Sequence, residues 1–121
     1  MKDRDVTILM KILQYISEIN GTVSRLSLDL DKFKSDYVVK NAIAMCILTI
    51  GTLVGEMTDE FRLKHDQLPW KSIVGLRNIA AHAYGSIDTE ILWGIVTTNI
   101  PELKAFCENA LHENATHGNL P

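Results

Sequence analysis

The sequence predicts an all-α protein, a small bundle of about four or five helices. Three observations support this class. Apolar residues recur at three- and four-residue spacing, seven Gly and three Pro leave long stretches free of helix breakers, and one segment is apolar on nearly every side. With 46% hydrophobic residues, 22% charged residues and a net charge of −3, the chain can form a core and does not have the composition of a disordered protein.

The first helix is predicted from an apolar stripe that begins at Val6. The stripe continues through Leu9, Ile12, Leu13, Ile16, Ile19, Val23 and Leu26. The polar stretch Ser27–Ser35 then breaks this pattern. Ser35 and Asp36 offer N-cap side chains for a second helix, which we expect to run to about Phe61.

The second predicted helix contains the longest uncharged run of the chain, between Lys40 and Glu56. The run is shorter than the roughly 20 apolar residues that a membrane-spanning helix requires, and it favours a buried helix that the others surround. Within it, Ala44, Gly51 and Gly55 align at seven- and four-residue spacing. A neighbouring helix backbone is therefore expected to approach closely along that line.

Further helices are predicted in the second half of the chain. Pro69 suits a helix start, and a third helix is predicted from about Trp70 to Ala83. Gly85 offers a helix stop, and Asp88 an N-cap for a fourth helix. Pro101 is expected to kink or restart that helix before a final amphipathic stretch.

The chain is predicted to form one helical domain, residues 1–112, followed by a flexible polar tail at 113–121. The first residues lack the charged-then-apolar order of a signal peptide. Cys46 and Cys107 show no paired spacing, which disfavours a disulfide framework and a Cys-based metal site. A cytoplasmic protein that does not enter a membrane is therefore predicted.

The densest group of chemically capable side chains lies at the end of the third helix and comprises Arg77, Asn78, His82 and Tyr84. Asn78 and His82 are four residues apart and share a helix face, so the amide can orient the imidazole. Arg77 is rotated by roughly 140° from His82 about the helix axis. Because one straight helix does not aim both side chains at one point, we expect a symmetric dimer to bring two helix ends together.

Such a pair of helix ends contains what metal-free RNA cleavage requires: a base for the 2′-hydroxyl, an acid for the leaving 5′-oxygen and a cation for the phosphate. One chain offers one His82, whereas two chains offer two imidazoles. Arg77 supplies a guanidinium that binds phosphate oxygens in pairs. A metal site is disfavoured, because no second ligand stands at suitable spacing from His65, His112 or His117.

The chain closely resembles the HEPN superfamily, whose hallmark is an Arg, a polar residue, and a His four to six positions after the Arg. The finer resemblance is to its HepT-like toxin branch, whose pattern Arg-Asn-x-x-x-His-x-Tyr is met by the four residues of the group. Other matching positions are Gly55-Glu56, Pro69, Trp70, Ile73, Gly75, Asp88, Trp93 and Pro101-Glu102-Leu103. The resemblance covers nearly the whole chain and weakens before about residue 30 and after Leu111.

This resemblance implies a metal-independent endoribonuclease that acts as the toxin of a prokaryotic toxin–antitoxin pair and needs no cofactor. It implies that Arg77 and His82 are catalytic and that Asn78 supports them. The implied antitoxin is a minimal nucleotidyltransferase that transfers AMP to the motif tyrosine, Tyr84. An adenylyl group there would block RNA by its bulk and its negative charge.

Two features keep other hypotheses open. Ile79 stands where relatives often carry a basic residue, and a net charge of −3 does not favour RNA binding. The second hypothesis is a catalytically inactive HEPN module that binds a nucleotidyltransferase or a nucleotide, and the third is a purely structural oligomer. Glu56, near the end of an apolar helix, is interpreted as structural, paired with Arg77 or another neighbour if it is buried.

Overall fold

The computed structural model describes residues 1–82 and 89–118, apart from the side chains of residues 82, 117 and 118. Within these ranges every regular element is helical, which confirms the all-α class. The helices are α1 (Asp3–Arg25), α2 (Leu30–Ser35), α3 (Tyr37–Gly55), α4 (Asp59–Lys64), α5 (Trp70–His82), α6 (Thr89–Gly94) and α7 (Ile100–Gly118). A π-helical segment, Ile95–Asn99, joins α6 to α7.

The apolar stripe of α1 faces the core, as predicted, except at Leu26, which follows the helix and is 44% exposed. Ile12, Ile16 and Ile19 are at most 1% exposed, and the helix packs against α3 and α7. Burying an Ile side chain of this kind contributes about 1.5–3 kcal/mol. The stripe thus holds α1 against the two other long helices.

The polar stretch after α1 contains the short helix α2, which the sequence pattern does not predict. Asp29 caps it by accepting a hydrogen bond from the backbone N–H of Lys32 at 2.8 Å. The buried ring of Phe33 anchors it, 5.1 Å between centroids from Trp93. Six residues with one apolar anchor show no helical period, so hydrophobic spacing alone cannot reveal them. Asp36 then caps α3, as predicted.

α3 ends at Gly55, so the prediction that one helix runs to Phe61 is wrong. Thr58 starts a separate helix, α4, where its hydroxyl accepts a hydrogen bond from the backbone N–H of Phe61. Arg62 on α4 donates through Nη2 to the carbonyls of Val54 and Gly55. These bonds satisfy carbonyls that the end of α3 leaves without intrahelical partners.

An aromatic cluster fixes the start of α5. The rings of Phe61, His65, Trp70 and Phe106 lie 4.5 to 6.1 Å apart between centroids, and Trp70 Nε1 donates to the carbonyl of His65 at 2.9 Å. Arg62 ties α4 to the last turn of α3. α5 therefore begins level with the end of α3 and runs antiparallel to it.

α3 is central to the bundle, but one of its faces is open. Ile43, Ile47 and Ile50 are buried, and the helix contacts α1, α2 and α5. By length and composition α3 could cross a membrane, and only 39% of its most apolar window is buried in the bundle. Val38 is 62% exposed and Met45 50% exposed. The expectation that other helices surround α3 is therefore wrong for this face.

The helical path changes near Pro101, as predicted. The backbone stays helical from Thr89 onward, and it changes from π-helical to α-helical at Ile100, directly before Pro101, which has no N–H to donate to the preceding turn. α7 continues to Gly118, beyond the end expected near Leu111. The flexible tail at 113–121 stays a prediction, and residues 119–121 lie outside the described residues, as do Gly85 and Asp88.

Candidate active site

α5 lies in close contact with α3 at Gly51. A Cβ built on Gly51 would lie 2.9 Å from both the backbone nitrogen and the Cβ of Arg77. The glycine therefore allows the α5 backbone to lie directly on α3, as the small-residue spacing predicts. At Gly55 a Cβ would meet nothing within 4 Å, so the predicted close approach is wrong there.

Arg77 and Asn78 both present exposed side chains on α5. No carboxylate of the described residues forms an ion pair with Arg77. Its guanidinium therefore keeps its planar set of five N–H donors available for an anion such as phosphate. Asn78 adds an amide beside this cation.

His82 is the last residue of α5. Its imidazole and the whole of Tyr84 lie outside the described residues, so the roles of both stay predictions. The helix nevertheless sets the backbone spacing: His82 lies about 7.5 Å along the axis and roughly 140° around it from Arg77. Asn78 and His82 share one face.

Glu56 is not a buried partner of Arg77. It is exposed and directly follows α3, and its backbone carbonyl accepts a hydrogen bond from Arg4 Nε at 3.1 Å. The ion pairs of the described residues do not include Glu56. The suggested ion pair between Glu56 and Arg77 is therefore wrong. A structural role for Glu56 rests instead on its backbone carbonyl, which binds Arg4.

Among the described residues, Asp5 carries a buried carboxylate and is 1% exposed. It accepts hydrogen bonds from the backbone N–H of Thr58 at 2.9 Å and from the Thr58 hydroxyl at 2.6 Å. These bonds tie α1 to the start of α4. The sequence contains a signal for this burial, because Asp5 lies on the apolar stripe, three residues before Ile8 and seven before Ile12.

Ile79 lies on a different side of α5 from Asn78, because one residue turns a helix by about 100°. It lines a cavity of ≈ 560 Å³ between α5 and the segment from α6 to α7, together with Leu76 and Ile95. Position 79 is nevertheless three residues before His82 and lies about 60° from it around the helix, whereas Asn78 lies about 40° from it on the other side. Ile79 therefore leaves this border of the His82 face without a side-chain cation.

The two thiols do not supply a nucleophile. Burial raises the pKa of Cys107 to about 12, and burial together with the charge of Glu18 raises the pKa of Cys46. Both groups are therefore protonated at neutral pH. The described residues hold no group of three or more His, Cys, Asp or Glu side chains placed to bind a metal ion.

The fold and α5 together define a class, that of small helical bundles with an Arg-Asn-x-x-x-His helix end. A family model described as Ribonuclease HepT-like matches residues 12–110. The chain belongs to this HepT-like ribonuclease family, within the HEPN superfamily.

Named relatives agree with this assignment. A Methanocaldococcus jannaschii protein named "Putative RNase" is 32% identical over 105 residues, which are 86% of this chain and 94% of the relative. A Thermococcus cleftensis protein named "Probable ribonuclease HepT" is 28% identical over 74 residues, 61% of this chain and 67% of the relative. No solved structure matches the chain with comparable significance. At the level of the family, these relatives support a ribonuclease.

Proposed function

We propose that this protein is a metal-independent endoribonuclease, the toxin of a prokaryotic toxin–antitoxin pair that acts in the cytoplasm. The observation that carries the proposal is the exposed Arg77, unpaired among the described residues, on the same helix as Asn78 and His82. Membership of the HepT-like ribonuclease family supports it.

In the proposed reaction a base removes the proton of a 2′-hydroxyl, and the 2′-oxygen forms a bond to the neighbouring phosphorus. The bond from phosphorus to the 5′-oxygen breaks, and an acid protonates that oxygen. Arg77 stabilises the charge that develops on the phosphate oxygens. Two imidazoles, His82 from each of two protomers, serve as base and acid, and Asn78 orients its own imidazole.

A homodimer with a composite site follows from this chemistry. One protomer holds a single His82, and α5 turns Arg77 roughly 140° away from it. A twofold axis near the end of α5 places a second set of the same groups opposite the first. The proposed active site is therefore shared between the protomers.

The proposed antitoxin is a nucleotidyltransferase that transfers AMP to Tyr84. This residue follows His82 by two positions, so the added phosphate would lie near the site. Its negative charge would repel the RNA phosphate, and the adenosine would occupy the space of the substrate. Modification would thus silence the toxin without unfolding it.

The second candidate is a catalytically inactive module that binds a nucleotidyltransferase or a nucleotide. The observation that favours it is the net charge of −3, because RNA binding relies on cations. Growth arrest upon expression without a partner, abolished by Arg77→Ala, supports the toxin. Absence of arrest, together with nucleotide binding by the purified protein, supports the inactive module.

Cleavage of a labelled RNA in the presence of EDTA tests the proposed activity. We expect His82→Ala and Arg77→Ala each to slow cleavage by at least about 100-fold, the usual contribution of a general acid, a general base or a charge-stabilising donor. Arg25→Ala is the matched control, because Arg25 is also exposed but ends α1. Equal cleavage by wild type and His82→Ala would contradict the proposal.

A further inference from the structure

A cavity of ≈ 560 Å³ lies between α5 and the segment from α6 to α7. Its two walls are held by different neighbours, because α5 packs against α3, whereas α7 packs against α1. The volume falls within the roughly 300–1,000 Å³ of clefts that bind small molecules. The exposed side chains of Arg77 and Asn78 do not line this cavity, so it is separate from the candidate active site.

The two walls run antiparallel, which gives the cavity two distinct ends. Trp70, at the start of α5, lies beside Phe106 of α7, with 5.9 Å between the ring centroids. α6 follows α5 along the chain, so the later turns of α5 face α6. We call the end near Trp70 the α7 end and the opposite end the α6 end. From Pro69 to Ile79, which both line the cavity, the α5 wall extends over about 15 Å.

The α6 end of the cavity is lined by apolar side chains. Leu76 and Ile79 lie on the α5 wall, and Ile91 and Ile95 lie on the opposite wall. Ile91 is 48% exposed, and Ile79 is only half-buried. An apolar group bound at this end would remove these side chains from water, which is favourable in proportion to the area covered.

Polar side chains line the cavity toward its α7 end. They are Ser72, Thr98, Asn99 and Glu102, and all four are exposed. Within the described parts of the chain, none of these side chains forms a hydrogen bond or an ion pair. Their donors and acceptors are therefore available to a ligand. The lining is thus amphipathic along the length of the cavity.

The wall opposite α5 changes its helical form beside the cavity. The backbone N–H of Ile100 donates to the carbonyl of Ile95, five residues back, and the π-helical segment contributes Ile95, Thr98 and Asn99 to the lining. Such turns are rare and occur frequently at functional sites. At Gly94, which directly precedes the segment and also lines the cavity, a Cβ would meet nothing within 4 Å. This wall therefore borders open space.

Glu102 sets the charge of the cavity. Among the described residues that line it, Glu102 carries the only charged side chain, and it forms no ion pair within residues 1–82 and 89–118. Lys104, two positions further, is turned by roughly 200° around the helix, and its Nζ lies 3.8 Å from a carboxylate oxygen of Glu108 instead. The α7 end therefore favours a cation. Because this end is exposed, a bound cation keeps part of its hydration.

We propose that this cavity is a binding site for a small amphipathic amine. The apolar body of the ligand fills the α6 end, and its ammonium group at the α7 end donates to the carboxylate of Glu102. The side-chain carbonyl of Asn99 and the hydroxyl of Ser72 accept from the remaining N–H groups. The site does not depend on the proposed RNA cleavage, and its ligand would contact α5, the helix that carries Arg77.

Isothermal titration calorimetry with octylammonium chloride tests the site, and sodium octanoate is the probe of opposite charge. We expect octylammonium to bind wild type at least about fivefold more tightly than octanoate, the effect of one solvent-exposed ion pair. Glu102→Gln is expected to remove this preference. Glu113→Gln is the matched control, because Glu113 is exposed on α7 but does not line the cavity. Absence of octylammonium binding, equal binding of octanoate, or a preference that survives Glu102→Gln would overturn the proposal.

Filling the cavity tests where the probe binds. Gly94→Leu is expected to weaken octylammonium binding at least about tenfold, because the new side chain takes space from about two methylene groups of the ligand. Gly21→Leu is the matched control, since Gly21 also lies within a helix with nothing within 4 Å of its Cβ position but does not line the cavity. Both changes raise helix propensity, so urea unfolding is expected to show no loss of stability. Unweakened binding to Gly94→Leu would overturn the location.

Methyl NMR of the wild-type protein locates the probe without any substitution. Octylammonium is expected to shift the methyl signals of Ile79, Ile91 and Ile95, which line the cavity. The signals of Ile12 and Ile16, in the buried stripe of α1, are expected to stay unchanged. Shifts at the α1 residues without shifts at the cavity residues would overturn the site.

A second copy of this chain is the competing occupant of the cavity. If sedimentation velocity shows a dimeric wild type and a monomeric Gly94→Leu protein, the cavity belongs to a subunit interface and the proposal is wrong. An unchanged association state in Gly94→Leu, together with weakened octylammonium binding, supports the small-molecule site.

Discussion

Arg77 lies on Gly51 with no side chain between the two backbones. A Cβ on Gly51 would come within 2.9 Å of the Arg77 nitrogen, closer than real Cβ atoms come to such a neighbour. The residue that carries the proposed phosphate-binding cation is therefore positioned by a close contact between the backbones of α3 and α5. Packing of the bundle and geometry of the site depend on the same contact.

Gly51→Ala is expected to destabilise the protein and to slow RNA cleavage. The overpacking cost of about 1–3 kcal/mol exceeds the gain in helix propensity of up to about 1 kcal/mol, and α5 has to shift. Gly55→Ala, on the same helix but with open space around it, is expected to keep its stability and activity. Urea unfolding and cleavage assays measure both variants, and equal behaviour would contradict the role of the close contact.

Asp5→Ala is expected to lower the free energy of unfolding by about 1–3 kcal/mol, the cost of leaving buried hydrogen-bonding groups without a partner. The groups concerned are the N–H and hydroxyl of Thr58, which both donate to the Asp5 carboxylate. Asp3→Ala removes an exposed carboxylate from the same first turn of α1 and so controls for the helix dipole. Equal loss of stability in the two variants would show that the bonds to Thr58 contribute nothing.

Acid is expected to weaken the fold partly through His65. Burial, and then the charge of Lys64, lower its pKa below the ordinary 6.5, so the unfolded chain takes up a proton first as the pH falls. Stability present above pH 6.5 is lost between that pH and the folded pKa. His65→Phe, which keeps a ring in the aromatic cluster, should show a smaller loss between pH 7.5 and 5.5 in urea unfolding. An unchanged loss would contradict this.

Cys107 is expected to resist thiol reagents in the folded protein. Its side chain is fully buried, and burial raises its pKa to about 12, so at pH 8 almost no thiolate is present or accessible. In a Cys46→Ser background, labelling should be slow and should follow global unfolding. Labelling in denaturing urea gives the reference, and equally fast labelling of the folded protein would contradict the burial.

Rules for helix capping and for residue spacing predict the parts of this fold that depend on residues close together in the sequence. The Asp36 cap and the α1 stripe follow from such rules, and the small-residue spacing predicts the contact at Gly51. What the sequence does not reveal depends on distant residues: the partner of Asp5 is Thr58, 53 positions away. α2 and α4 have six residues each, too few for a period, and are fixed by caps and single buried rings. The open face of α3 was not predicted, because an apolar segment does not say which of its sides is covered.

The candidate site divides in the same way. The spacing of Arg77, Asn78 and His82 follows from the helix, whereas the exposure of the arginine, the outward position of Glu56 and the cavity beside Ile79 required the three-dimensional structure. The motif predicts which groups are present. The packing of α5 decides which of these side chains are exposed on the same side of the helix.

Subunit mixing tests the shared active site most directly. Wild type and His82→Ala are mixed in equal amounts under conditions that allow exchange, and RNA cleavage is compared with that of the same total amount of wild type. If each site needs both imidazoles, only wild-type dimers are active, and random pairing leaves about one quarter of the activity. Retention of about one half would mean that each protomer cleaves RNA with its own histidine, which contradicts the composite site.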